Sequence, residues 1–212
     1  MLKFETIEVT PFPQNCRILW CSETNEGVVV DPGGDAHKIA SRIKELKITC
    51  SAIWLTHSHL DHCGGVAPLL EQFNVKLFAH PAEGDFRASV VTVAQMYGLP
   101  LNEWHNCPEP TDTISGGETL AVGHSKAEVR FTPGHSPGSV SFYFPEERIV
   151  VSGDVLFAGS IGRSDLPGGN HSQLISSIKR EILSLDDSTK VLSGHGEDTT
   201  VGQERRHNPF LA

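Results

Sequence analysis

One stretch of ten residues, Thr56 to Gly65, carries four side chains that can bind a metal ion: His57, His59, Asp61 and His62. Imidazole nitrogen and carboxylate oxygen are ligands for zinc, iron and manganese. A lone histidine is ordinarily a structural or surface residue. Four potential ligands within six consecutive positions reverse that expectation, so we interpret the stretch as a metal site.

The spacing of these residues limits the local backbone. An apolar, partly β-branched run at residues 51–55 comes just before them and predicts a buried strand. His57 and His59 lie on one side of an extended backbone, whereas His59 and His62 share a face only on a helix. A turn from strand to helix satisfies both conditions. The two glycines that end the stretch let this turn pack tightly or approach a ligand closely.

Three further potential ligands, His135, Asp154 and His195, stand directly after predicted strands and beside glycines. Ligands at the ends of several strands are expected to gather along one edge of a sheet. Asp31 follows the strand Gly27–Val30 in the same way. It either caps a loop or accepts a hydrogen bond from a ligating imidazole, which is the usual task of a carboxylate behind a metal ligand.

Seven candidate ligands are too many for one zinc ion, which ordinarily takes four. Two ions about 3.5–4 Å apart would accommodate them if one carboxylate bridged both, and Asp154 is our candidate for that bridge. Nitrogen and oxygen donors leave the metal open among zinc, iron and manganese, with zinc as our expectation. The seven candidates are His57, His59, Asp61, His62, His135, Asp154 and His195.

The elements around these residues predict an α/β protein. Asp35 suits the N-cap of a helix, because apolar residues recur at helical spacing from Ala36 to Leu46. A second helix is predicted over 66–73 and a strand over 75–79. Strands alternating with helices indicate helices packed on a sheet. From Thr113 onward the chain is rich in short predicted strands.

The segment between Pro81 and Pro110 has a less regular pattern. Its apolar residues from Phe86 to Tyr97 fit one amphipathic helix that ends at Gly98. Such a helix is either ordinary core or an overhang that shapes substrate access to the site.

Length and charge exclude several classes of function. The 212 residues show no linker, so we predict one domain over 1–212. A net charge of −9 with 17 basic residues spread along the chain gives no basic stripe, so we expect no nucleic-acid partner. No apolar run approaches the length of a membrane span, so no membrane partner is expected.

Two observations favour a cytoplasmic protein. The first six residues include charges where a secretory signal would have its apolar segment. The five cysteines are odd in number and contain no Cys-x-x-Cys pair, which predicts small buried thiols rather than disulfides or a thiolate zinc site. Cys63, inside the metal stretch, is the one whose thiolate a neighbouring cation would favour. The sequence does not indicate an oligomeric state.

The run Thr-His-Ser-His-Leu-Asp-His, the turn Pro-Gly-His-Ser-Pro-Gly, Ser-Gly-Asp and Ser-Gly-His occur in an order that resembles the metallo-β-lactamase superfamily. The resemblance covers nearly the whole chain and implies the four-layer αββα sandwich of that superfamily. By matching motif positions, it implies that one metal is held by His57, His59 and His135 and the other by Asp61, His62 and His195, with Asp154 bridging.

Residues 157–165 and the ending from Gly194 to Phe210 are similar to the single-domain, glyoxalase II-like branch, the hydroxyacylglutathione hydrolases. The resemblance implies a thioesterase acting on S-lactoylglutathione or related hydroxyacyl thioesters. A hydroxide bridging two divalent metals would attack the carbonyl, with Asp61 orienting the nucleophile. The chain departs from full-length glyoxalase II, whose additional C-terminal helical region helps hold glutathione, because it ends soon after His195.

Three other functions stay open at this point. Persulfide dioxygenases resemble the same superfamily and use a single iron, which His57, His135 and Asp154 would hold here as two histidines and a carboxylate. A non-catalytic metal-stabilised binding module is a lower-ranked alternative. A true β-lactamase is disfavoured, because Asp154 stands where similar zinc-dependent β-lactamases use cysteine.

Overall fold

The protein, in a computed structural model that describes residues 1–211, divides into two compact units. The first contains residues 1–113 with 122–125, and the second contains 114–121 with the chain from 126 onward. Two six-stranded sheets account for most of the strands, and helices pack on both sheets. The predicted α/β class is therefore confirmed. The prediction of one domain over 1–212 stays a prediction.

The first unit alternates strands and helices in the predicted manner. Its strands are β1 (Leu2–Val9), β2 (Gln14–Cys21), β3 (Glu26–Val30), β4 (Thr49–Trp54), β5 (Lys76–Ala79) and β6 (Asp112–Thr113). Its helices are α1 (Ala36–Glu45), α2 (Leu60–Cys63), α3 (Val66–Phe73), α4 (Gly84–Ala88) and α5 (Val90–Met96), with 3₁₀ turns at Pro81–Glu83 and Leu101–Glu103.

The first sheet has the order β1-β2-β3-β4-β5-β6. Its first three strands are antiparallel neighbours, and β3 to β6 are parallel. Helices α1 and α3 bury Ile39, Ile43 and Leu69 against sheet residues such as Ile18 and Ile53. Burying side chains of this size contributes about 1.5–3 kcal/mol each, so the two helices are firmly seated on the sheet.

One local prediction for this unit is confirmed only in position, and one is wrong. Asp35 occupies the predicted N-cap position of α1, but its side chain makes no capping hydrogen bond; its Oδ2 accepts the backbone N–H of Thr10 instead, at 3.1 Å. The single helix predicted from Phe86 to Tyr97 is two helices, α4 and α5, separated at Ser89. The Ser89 hydroxyl donates to the carbonyl of Phe86 at 3.2 Å, and such local bonds compete with helix continuation.

The second unit is richer in strands, as predicted. Its strands are β7 (Thr119–Val122, whose last residue is grouped with the first unit), β8 (Ser125–Phe131), β9 (Val140–Phe144), β10 (Ile149–Gly153), β11 (Leu156–Phe157), β12 (Ser160–Ile161), β13 (Lys190–Ser193) and β14 (Thr199–Thr200). Its helices are α6 (His171–Ser177), which continues as a π-helical turn over Ile178–Ile182, and α7 (Val201–His207).

The second sheet has the order β14-β13-β10-β9-β8-β7, and β11 pairs with β12 as a separate hairpin. Leu174, Ile178 and Ile182 of α6 and its π-helical turn pack on Val150 and Val191 of the sheet. The Thr200 hydroxyl caps α7 by accepting the N–H of Gln203 at 3.2 Å. Within residues 1–211, no helix combines the length and apolar character needed to cross a membrane.

Candidate metal centre

The parallel pairing of β3 and β4 explains why Asp31 and the predicted metal stretch meet. Val30 and Trp54 are partners in register at the ends of these strands. The residues that follow them therefore leave the sheet at the same edge. The N–H of Asp31 donates to the carbonyl of Trp54 at 3.0 Å, which fixes the beginning of this turn.

The turn places three histidine rings together in the first unit. The ring centre of His57 lies 4.7 Å from that of His59 and 4.0 Å from that of His62. Asp61 Oδ2 lies 4.0 Å from His62 Nε2. The predicted change from strand to helix is present between β4 and α2, and it gathers all four candidate ligands of the stretch in one place.

Asp31 orients this cluster from behind. Its Oδ1 accepts the N–H of Thr56 at 2.7 Å, and its Oδ2 accepts the Thr56 hydroxyl at 2.6 Å and His62 Nδ1–H at 2.9 Å. A carboxylate only accepts, so the proton of His62 is at Nδ1 and Nε2 keeps its lone pair. Although an oxygen of Asp31 lies within 4.8 Å of ligand atoms of His57 and His62, these bonds make Asp31 an orienting residue. The predicted acceptance of a hydrogen bond from an imidazole by Asp31 is therefore confirmed, and the role of that imidazole as a metal ligand stays a prediction.

His57 is oriented through Thr56. The Thr56 hydroxyl donates its hydrogen to Asp31, so its oxygen is available to accept Nδ1–H of His57 at 3.1 Å. This arrangement places the proton of His57 at Nδ1 and its lone pair at Nε2. His57 and His62 are both buried, and each presents an unprotonated nitrogen of the kind that a metal ion requires.

Glycines allow α2 to approach the turn after β3. A Cβ on Gly33 would lie 1.4 Å from the carbonyl oxygen of Asp61, and one on Gly65 would lie 2.7 Å from the carbonyl oxygen of Pro32. A Cβ on Gly64 would lie 2.8 Å from the carbonyl oxygens of Gly33 and Leu60. The predicted close packing of Gly64 and Gly65 is confirmed. Together with Gly33 it sets how near α2, which carries Asp61 and His62, lies to the turn after β3.

Sequence reasoning missed Glu83. This buried carboxylate accepts the N–H of Ser58 at 3.0 Å, between the two histidines of the turn. Its position in an irregular segment, 25 residues from its partner, gave no signal beyond an acidic residue just before a glycine. Cys63, in contrast, behaves as predicted for a packing residue, because burial raises the pKa of its thiol well above the ordinary value.

In the second unit, Asp154 and His195 follow two parallel neighbours. Gly153 of β10 pairs with Ser193 of β13, and the N–H of Gly194 donates to the carbonyl of Gly153 at 2.9 Å. Asp154 and His195 are therefore delivered to the same edge of the sheet. β8 runs in the same direction as β10, because both are antiparallel to β9, so His135 emerges at that edge too.

Asp154 lies between two imidazoles. Its Oδ2 is 3.7 Å from His135 Nε2 and 3.5 Å from His195 Nε2. His135 Nδ1–H donates to the carbonyl of Arg163 at 2.7 Å, which leaves the Nε2 lone pair facing the carboxylate. Two ligands at about 2.0–2.1 Å from one ion stand roughly 3.3 Å apart at a tetrahedral angle. The distances from Asp154 Oδ2 to the two imidazole nitrogens therefore fit a cation held with His135 and another held with His195.

Gly162 packs closely against Asp154 and His135. A Cβ on Gly162 would lie 1.8 Å from the carbonyl oxygen of Asp154 and 3.2 Å from His135 Nδ1. Six histidines lie outside the candidate set; the sequence predicts a structural role for His80 and His105 and a surface position for the other four. His80 accepts the N–H of Ala82 at 3.1 Å, as a structural residue would, whereas His105 is exposed. The four predicted at the surface are exposed: His37, His124, His171 and His207.

Comparisons with known proteins agree with this geometry. The profile of the Metallo-beta-lactamase superfamily matches residues 9–195. Hydroxyacylglutathione hydrolase GloC of Haemophilus influenzae is 39% identical over 217 residues, which cover 99% of this chain and 98% of that protein.

Two solved structures are similar along the whole chain. BLEG-1 B3 metallo-beta-lactamase has a TM-score of 0.91 at 39% identity, covering 99% of this chain and 100% of its own. TTHA1623 in a di-iron-bound form has a TM-score of 0.89 at 38% identity, covering 98% and 100%. The fold predicted from the motifs is thereby confirmed.

Proposed function

Because the chain belongs to the metallo-β-lactamase superfamily, we propose that it is a binuclear metal-dependent hydrolase that cleaves hydroxyacyl thioesters such as S-lactoylglutathione. The observation that carries this proposal is the position of Asp154 Oδ2, 3.7 Å from His135 Nε2 and 3.5 Å from His195 Nε2. A carboxylate oxygen this close to two imidazole nitrogens is suited to share cations with both rings.

The family's motif positions supply the proposed ligand sets. His57, His59 and His135 would hold one ion, and Asp61, His62 and His195 would hold the other, with Asp154 available to both. The nitrogen and oxygen donors suit zinc, and the di-iron form of a protein 38% identical to this chain supports iron as an alternative. Manganese fits the same donors.

The chain's own residues prepare the site for hydrolysis. When bound, divalent ions supply water of lowered pKa and polarise a carbonyl oxygen. Asp31 and Thr56 keep Nδ1 of His62 and His57 protonated, so both rings present Nε2. Asp61, whose side chain is 14% exposed, would accept a hydrogen bond from the attacking water and orient it.

The leaving group favours a thioester over a β-lactam. A free thiol has a pKa near 8.5, so a thiolate departs without a proton from the enzyme. The nitrogen that leaves a β-lactam requires protonation, and no residue of the candidate site has been assigned that task. The relative GloC, whose name describes hydroxyacylglutathione hydrolysis, supports the same choice.

The substrate is proposed to be a small cytosolic thioester. All five cysteines are free, which is typical of a reducing compartment.

Asp154→Asn tests the proposal. The amide keeps the shape of the side chain but loses the charge that a bridge between two cations needs. We expect metal content to fall from two ions per chain towards one, and turnover of S-lactoylglutathione to fall at least a thousandfold. Elemental analysis and release of free thiol measure the two effects. Asp186→Asn, the same change on an exposed turn of the same unit, is the control.

Full activity of Asp154→Asn would refute the scheme. A panel that includes a simpler thioester and a chromogenic cephalosporin separates thioesterase from β-lactamase activity. One iron per chain, with oxygen uptake on glutathione persulfide, would favour a mononuclear dioxygenase instead. Stoichiometric metal without turnover of any of these compounds would favour a non-catalytic binding module.

A further inference from the structure

Phe86 lies beside one of the candidate ligands. Its ring centre is 5.2 Å from that of His59, with an interplanar angle of 75°, so the two rings meet edge to face. Phe86 is only half-buried. Part of an aromatic ring is therefore exposed to solvent next to an imidazole that is assigned to a metal.

The start of α4 is tied to the histidine turn. Glu83, which precedes α4, accepts the N–H of Ser58 at 3.0 Å from inside the protein. Phe86 is three residues further along, so it lies on the same side of the chain as Glu83 where the backbone is helical. This buried hydrogen bond therefore ties the segment that carries Phe86 to the turn that carries His59.

Apolar surface continues along this segment. Three of the five large apolar side chains that are exposed among the described residues fall between 96 and 101: Met96, Tyr97 and Leu101. Phe12 supports Tyr97 with an edge contact of 5.7 Å between ring centres. Helices α4 and α5 both contact α2, which carries Asp61 and His62.

The net negative charge of residues 81–110 disfavours the binding of an anionic substrate group beside Phe86. Residues 81–110 contain four carboxylates, at Glu83, Asp85, Glu103 and Glu109, and one guanidinium, at Arg87. That guanidinium is buried and bonded to Glu109 at 2.9 Å. A neutral, apolar substrate group is favoured here over a carboxylate.

We propose that Phe86 is a specificity-determining residue that receives the acyl side chain of the substrate and selects hydroxyacyl thioesters with apolar or aromatic acyl groups. The inference rests on the proposed function. A metal stands about 2 Å from its imidazole nitrogen, and reacting atoms approach to about 3–3.5 Å. An acyl side chain one or two bonds from the reacting carbon therefore reaches a ring that touches His59.

Two glutathione thioesters that differ only in the acyl group test this inference: lactoyl, with a methyl side chain, and mandeloyl, with a phenyl side chain. Phe86→Ala is expected to lower kcat/KM for the mandeloyl thioester about tenfold more than for the lactoyl thioester, the size of an aromatic contact in a pocket. Phe86→Leu keeps apolar volume and is expected to retain part of the preference. Metal content is expected to stay at the wild-type value in both variants.

Phe210→Ala, which removes an exposed phenylalanine outside α4 and α5, is the matched control and should leave the ratio of the two substrates unchanged. Equal losses on both thioesters in Phe86→Ala would overturn the inference while leaving the proposed function intact. A changed preference between lactoylglutathione and lactoyl-N-acetylcysteamine, without a changed acyl preference, would also overturn it, because Phe86 would then contact the thiol. No turnover of any thioester by the wild type would overturn the proposed function and this inference with it.

Discussion

Asp31 shows how much of the site depends on residues that do not bind metal themselves. Its carboxylate accepts three hydrogen bonds, two from Thr56 and one from His62. It does so from a left-handed backbone position, with φ 52°. Asp and Asn tolerate that region better than most residues, so a charge-removing substitution is available that does not strain the backbone.

Asp31→Asn is expected to weaken metal binding about 10–100-fold, because the neutral amide no longer fixes the protonated Nδ1 of His62. Competition with a chromogenic chelator measures the affinity. Asp35→Asn is a close control, since Asp35 has φ 50° and also accepts a backbone N–H but is exposed. Equal affinities of the two variants would show that Asp31 does not orient the ligand.

At this scale the sequence was informative where residues lie close together along the chain. His57, His59, Asp61 and His62 were recognisable because their types and spacing are unusual within one turn. Glu83 was not, because its role depends on burial and on a partner 25 residues away. Composition and spacing carry no information about such a long-range contact.

At the scale of elements, the site depends on how closely the turn after β3 approaches α2. Gly33 and Gly65 make that approach possible, since each would place a Cβ against backbone atoms of the other segment. Backbone cannot move aside as a flexible side chain can, so the cost of added volume is not relieved locally.

Gly33→Ala is expected to lower the free energy of unfolding by about 2–3 kcal/mol. That loss corresponds to a fall in Tm of roughly 4–12 °C for a chain of this length. Gly84→Ala is the matched control, because a Cβ there meets only the Arg87 side chain at 3.7 Å and alanine favours α4. Differential scanning calorimetry compares the two. A Gly33→Ala protein as stable as Gly84→Ala would contradict the packing argument.

The elements that the sequence predicted best are those with strong periodicity, such as α1, α3 and the strands before each ligand. The break between α4 and α5 was missed because the apolar spacing from Phe86 to Tyr97 continues across it. Ser89 ends α4 through a local hydrogen bond to Phe86, and a serine within an amphipathic pattern is too common to mark a break.

At the scale of the whole molecule, the αββα architecture was predicted from the family resemblance, and periodicity did not predict the strand order. The order β14-β13-β10-β9-β8-β7 places strands side by side that are far apart in sequence, and local patterns do not specify such partners. What the sequence did indicate is the recurrence of ligands after strands. Parallel pairing of β3 with β4 and of β10 with β13 turns that recurrence into two groups of ligands, one in each unit.

The proposed bridge makes these two groups depend on each other. If Asp154 is shared by both ions, loss of one ion leaves its charge only partly compensated at the other. Metal binding is then coupled to the stability of the whole chain. Metal at about 100 times its Kd contributes about 2.7 kcal/mol, which corresponds to a rise in Tm of roughly 5–11 °C.

Removing metal with a chelator is therefore expected to lower the Tm of the wild type by that amount. His57→Ala in the first unit and His195→Ala in the second are each expected to lose more than half of the metal-dependent rise. The double variant should lose less than the sum of the two. His37→Ala and His171→Ala, exposed histidines of the first and second units, should keep the full rise. Thermal melts with and without zinc measure the wild type and the five variants. Single variants that each lose half of the rise or less, with losses that add in the double variant, would mean that each unit binds its own metal, and the shared carboxylate would be wrong.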